Sequence, residues 1–139
     1  MTQQVREIMT TDIVTVEPLT SVVDVARLMR RADVGDVLVV DEGHLRGVVT
    51  DRDLVVRIMA EGGDPGDRTV VSACSEDLVT VAPDDDVDQV IGLMRERAVR
   101  RVPVVEGDRP VGIVSLGDLA IERDPGSALG DISAARPSD

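Results

Sequence analysis

The chain has 139 residues, with 15 basic and 27 acidic side chains, a formal net charge of −12, no Phe, Tyr or Trp, and no Lys. That balance argues against nucleic acid and against an anionic membrane surface, because binding to either draws on a basic face. The length allows one compact core or two tightly joined half-domains. Aliphatic side chains must build the core, and 26 of the residues are valine, which is stiff at χ1 and favours strands.

Apolar runs are only a few residues long, far short of the ~20 needed to span a bilayer. The opening stretch carries Arg6 and Glu7 where a signal peptide needs apolar residues, so the cytoplasm is the expected location. Cys74 is the single cysteine; it can make no internal disulfide, and a buried, inert thiol is expected.

Ile13 to Pro18 opens the first patterned segment, a short strand. Ser21 to Arg31 has apolar residues at 22, 25, 26 and 29, the spacing of an amphipathic helix, with Thr20 or Ser21 as its cap. Val37 to Val40 reads as a strand covered on both faces. A polar turn over 41–46 leads to a second strand, Gly47-Val48-Val49, and a last helix begins near Thr50. The whole pattern then recurs at an offset of 65. From Ile13–Leu54 against Leu78–Leu119 there are 17 identities in 42 ungapped positions, so one supersecondary unit occurs twice. The second copy has a helix over Asp86–Arg97 capped by Asp85 or Asp86, a strand Val102–Val105, a turn over 106–110, a strand Gly112–Val114 and a last helix from Ser115. Pro103 cannot donate to a ladder and belongs at a strand start or an edge. The expected organisation is a first repeat over 1–62, a turn-rich link over 63–69, a second repeat over 70–123 and a partly mobile tail over 124–139, with Leu129 and Ile132 as its apolar anchors.

Two matched motifs could carry chemistry: Gly47-x-x-Thr50-x-x-Asp53 and Gly112-x-x-Ser115-x-x-Asp118. Thr-x-x-Asp and Ser-x-x-Asp resemble a capping box with Asp in the usual Glu place, which needs no ligand. Capping does not call for the preceding glycine, however, and glycine admits a close visitor to the backbone. A phosphate suits such a place, because a helix start offers amides and a favourable dipole. A carboxylate one turn later could accept from a sugar diol. Both readings can hold together.

With these junctions, the opening Val5-Arg6-Glu7-Ile8-Met9-Thr10, the two Thr-Val-x-Pro strands and the run Val99 to Val105, the chain resembles a tandem pair of CBS domains, the module named after cystathionine β-synthase. The resemblance spans Val5 to about Arg123. It implies an α/β (α+β) fold of two βαββα repeats about a pseudo-twofold axis, two clefts between the copies, and a homodimer. It also implies a regulatory module that binds an adenine nucleotide (AMP, ADP or ATP) or S-adenosylmethionine, with no catalysis and no required cofactor. Carried onto this chain, the pattern gives a favoured site of Gly47, Thr50, Asp53, Thr80, Val81, Arg100 and Arg101. A weaker site has Thr15, Val16, Gly112, Ser115 and Asp118, with Val34-Gly35-Asp36 beside it. Asp53 and Asp118 would bond ribose hydroxyls, Thr50 and Ser115 would approach phosphate, and the Thr-Val pairs would meet the base.

The two sites differ in charge. Arg100 and Arg101 can fork onto phosphate oxygens, whereas the aligned Gly35 and Asp36 supply one acid and no cation. The competing readings are a ligand-free interaction dimer whose motifs serve only as caps and, more distantly, a metal-assisted nucleotide hydrolase. An unidentified protein partner would receive the signal of a sensor. His44, alone in a turn, is read as a solvated loop residue. Asp84, Asp85 and Asp86 are read as helix-opening acids, Asp51 and Arg52 as an ion pair, and Met9, Met29, Met59 and Met94 as core or dimer filler. With one histidine and one cysteine, no nucleophile, base and orienting acid can be assembled.

Overall fold

The computed structural model describes residues 3–74, 78–123 and Ile132. These form two compact units: a continuous one over Ile13–Leu78, and a split one in which Met1–Asp12 joins Val79–Asp139. The sequence repeats and the compact units therefore do not coincide.

In the continuous unit, β1 (Thr15–Val16) lies parallel to β2 (Asp36–Asp41), which pairs antiparallel with β3 (His44–Thr50). Helix α1 (Val22–Ala32) follows β1, and the Ser21 side chain caps it by accepting from the Asp24 amide. Val22, Val25 and Met29 turn inward at helical spacing and meet Val37, Val39 and Val49 from the sheet, as the apolar periodicity requires. Successive buried residues in β2 confirm a strand covered on both faces. After β3, α2 (Asp51–Asp53) runs into a wide π turn over Leu54–Ile58 and a 3-10 turn over Met59–Glu61.

The split unit repeats the plan. Here α3 (Val87–Arg97) is capped by Asp86, β4 (Arg101–Glu106) and β5 (Arg109–Ser115) form a hairpin, and α4 (Leu116–Arg123) is regular. The strand registers match at the offset of 65, down to the irregularity at Val39/Val40 and at Val104/Val105. Val81 makes only an isolated parallel bridge to Val104, where the first repeat has a two-residue strand. Pro103 is third in β4, and its carbonyl accepts from the Val81 amide. Its missing N–H therefore faces the side of β4 that carries only that bridge, so its ring interrupts no ladder.

The split arises because each repeat's leading segment packs on the other repeat. The Val5 and Val87 amides donate to Asp85 and Gln3 carbonyls; at the offset of 65, Val70 and Val22 donate to Thr20 and Arg68. Val5 and Val70 are each 0% exposed and belong to the cores of the split and the continuous unit respectively.

Other side chains depart from expectation. Cys74 is half-buried rather than buried, against the edge of a core. Met29 and Met94 are core residues and Met9 packs beside a core, but Met59 is 67% exposed. Ile132 is 72% exposed; Leu129 and the rest of the tail lie outside the described residues. Asp51 accepts from the Arg52 backbone amide at 2.8 Å. His44 is exposed as expected, at the first position of β3.

Candidate functional site

Each repeat ends its hairpin at the residue that caps its last helix. Thr50 closes β3 and opens α2 with extended backbone; its hydroxyl accepts from the Asp53 amide at 3.1 Å, and its own amide donates to Asp53 Oδ2 at 2.9 Å. Ser115 and Asp118 repeat both bonds at 3.1 and 2.9 Å. Both motifs are thus reciprocal capping boxes, which satisfy helix-start amides. Each box uses one carboxylate oxygen, Oδ2. A carboxylate has about four acceptor positions, so Oδ1 is outside the box in both repeats.

The surroundings of the two carboxylates differ. Asp53, with its side chain 19% exposed, has Arg57 Nε at 3.5 Å from Oδ1. The residue aligned with Arg57 is Glu122, an acid, and it accepts from Gln3 Nε2 at 2.6 Å. Asp118 instead faces the Thr10 hydroxyl, at 3.5 Å from Oδ1 and 3.4 Å from Oδ2.

Gly112 is crowded within its own unit. A Cβ there would stand 2.7 Å from Met9 Sδ and 3.0 Å from the Thr10 carbonyl oxygen. Within its own unit, the visitor this glycine admits is the chain's leading segment. Val81 has its side chain buried in the core, its amide donates to Pro103 and its carbonyl accepts from Val105. The Val81 amide is thus taken and its side chain faces the core, while the neighbouring Thr80 is exposed.

Within each unit, strand register decides which of the expected residues meet. Arg101 stands directly opposite Ser115, and the Arg100 carbonyl accepts from the Leu116 amide at 2.8 Å. In the continuous unit Asp36 stands opposite Thr50, and the Gly35 carbonyl accepts from the Asp51 amide at 3.0 Å. Directly opposed residues share a sheet face. Arg101 therefore shares a face with Ser115, and Asp36 with Thr50. Gly47 is opposite Val39, whose other neighbour is Val16, so β1 lies two strand spacings, about 10 Å, from β3.

An open cleft of about 790 Å³ lies at the end of β1 and the β2–β3 turn, lined by Thr15, Val16 and Leu19 with Glu17, Asp41 and Glu42. It takes in two residues expected at the weaker site but neither capping motif, and its three acids disfavour a phosphate. No helix among the described residues is long and apolar enough to cross a membrane. No group of three or more His, Cys, Asp or Glu among them is placed to hold a metal.

The chain is similar to known proteins in sequence and in fold. The chain is 39% identical over 133 residues to the CBS domain-containing protein YhcV of Bacillus subtilis, across 93% of this chain and 94% of that one. It superposes on the hexameric CBS-CP12 protein of bloom-forming cyanobacteria with a TM-score of 0.79 and 30% identity, over 90% of this chain and 74% of that one. The CBS domain pair of protein MJ0100, solved with 5-methylthioadenosine and S-adenosyl-L-methionine, shares the fold with a TM-score of 0.81 and 23% identity, over 91% and 100% of the two chains. The CBS domain family model matches residues 5–60 and again 70–123. With matched hairpins, matched capping boxes and both halves recognised, this chain belongs to the CBS-domain proteins and carries two copies of the domain.

Proposed function

We propose that the chain is a regulatory sensor that binds an adenine nucleotide, AMP being the simplest, and acts on a partner protein as a homodimer without turning the ligand over. The observation that carries this reading is the pair of capping boxes, each holding a carboxylate in place by one oxygen and leaving the other outside the box. A fixed acceptor at a helix start can bond a ribose diol while nearby amides favour the phosphate. The favoured site is the Thr50–Asp53 junction, with Arg57 rather than an acid one turn on. The family pattern assigns Thr80 to the base and Arg100 and Arg101 to the phosphate. The weaker site is the Ser115–Asp118 junction. That the same fold holds adenosyl compounds in MJ0100 supports the ligand class.

The ligand-free interaction dimer is the second reading, favoured because both acids already bond their own main chain. Absorbance separates the two. The chain has no Trp or Tyr, so a band near 260 nm in a nucleic-acid-free preparation reports a retained base. Where no band is seen, AMP, ADP, ATP and S-adenosylmethionine are compared by thermal shift, since a ligand of the folded state raises Tm. Calorimetry with AMP is then expected to show weaker binding for Asp53→Asn and Arg101→Ala, and little change for Asp36→Ala. Equal losses for Arg101→Ala and Asp36→Ala overturn the phosphate assignment, and no binding by any of the four compounds favours the second reading.

A further inference from the structure

We infer that Thr10 is a specificity residue of the Asp118 site, and that its hydroxyl occupies Asp118 in the place a ligand hydroxyl would take. This rests on the sensor reading above and adds to it a gate at the weaker site.

The leading segment lies on the second repeat at several points. Thr10 exchanges two backbone hydrogen bonds with Ile113, 2.8 Å from its amide and 2.9 Å to its carbonyl. Met9 lies against Gly112 so closely that no Cβ fits between them. At the far end Gln3 holds Glu122 of α4. These contacts bring the Thr10 side chain to the helix-start carboxylate, where its hydroxyl faces both oxygens of Asp118.

The contact is long. A good hydroxyl-to-carboxylate bond is about 2.5–2.7 Å, so separations of 3.4 and 3.5 Å describe a hydroxyl that covers the acceptor without binding it tightly. A ribose diol must displace that hydroxyl to reach Asp118. Glu122, one turn further along α4, adds an acid where Asp53 has Arg57, and it opposes the charge that Arg101 brings opposite Ser115. The chain's own hydroxyl thus competes with AMP for Asp118 at the weaker site.

Thr10→Val keeps the shape of the side chain and both backbone bonds to Ile113 while removing the hydroxyl. Titration calorimetry with AMP is expected to show one equivalent bound per wild-type chain, lost in Asp53→Asn. Thr10→Val is expected to take up a second equivalent that disappears in Thr10→Val/Asp118→Asn. Thr10→Ala, which removes the methyl as well, repeats the test should the valine perturb packing. One equivalent for wild type and for both Thr10 variants overturns the gate and leaves the sensor reading intact, as do two equivalents in the wild type. Absence of AMP binding in every protein overturns the gate, and overturns the sensor reading as well only when ADP, ATP and S-adenosylmethionine also fail to bind.

Discussion

At Asp53 and Asp118, one side chain serves stability and offers a binding acceptor, and the two roles can be separated by substitution. The Oδ2 atom of Asp53 satisfies the Thr50 amide, and loss of such a cap costs about 1 kcal/mol. Asp53→Ala is therefore expected to lower unfolding free energy by roughly that amount in urea titrations. Asp53→Asn keeps an amide oxygen that can accept from Thr50, so it should cost less than half as much. If ligand affinity nonetheless falls in the asparagine variant, its loss belongs to the charged acceptor that Asn replaces with a donor, rather than to the fold. The cap was legible because it is local: Thr-x-x-Asp and Ser-x-x-Asp place donor and acceptor three residues apart on one helix start. Val81 was not legible as a core residue. Its alternation with Thr80 gives one inward and one outward side chain, and only the bridge to Val104 shows which is which.

At the level of elements, the repeated hairpin is a local device and the exchanged leading segments are not. Val5 fills the core of the split unit among Val87, Val90, Val102 and Val114, about eighty or more residues away along the chain. Truncating a fully buried valine should cost about 2 kcal/mol, the transfer of two methyl groups plus the cavity left behind. Val5→Ala is thus expected to shift the urea midpoint down by a corresponding amount. Val55→Ala, at a side chain 55% exposed, should leave it nearly unchanged. Equal effects would mean that the leading segment contributes little to the core. The same packing explains Gly112, whose freedom serves the approach of Met9 and Thr10.

On the scale of the whole molecule, charge sets the conditions under which the fold is most stable. A formal charge of −12 on 139 residues means net self-repulsion, and the ion pairs that offset it are surface pairs such as Arg123–Asp88 and Arg68–Glu61, each worth little. Raising ionic strength from about 0.01 to 0.15 M shortens the screening length from roughly 30 to 8 Å. The repulsion weakens more than the short pairs do, so Tm is expected to rise by a few degrees in calorimetric scans. A fall in Tm would show that attractive pairs dominate. The same repulsion opposes association, so light scattering should show the proposed dimer more populated at the higher salt.

What the amino-acid order determined by itself is what short-range chemistry can state: the repeat, the valine strands and hairpins, the helix caps, and the two matched junctions with their charge asymmetry between Arg100-Arg101 and Gly35-Asp36. Each depends on spacings of two, three or four residues, or on a comparison between aligned positions. Tertiary structure alone decided that each leading segment completes the other repeat's core, that Thr10 faces Asp118, and that Arg101 stands opposite Ser115 on the hairpin. The physical reason is that these contacts are made by chain folding across large sequence separations. A hydrophobic pattern specifies which face of an element must be covered, but several segments of similar valine content could cover it. Only the packed arrangement selects the one that does.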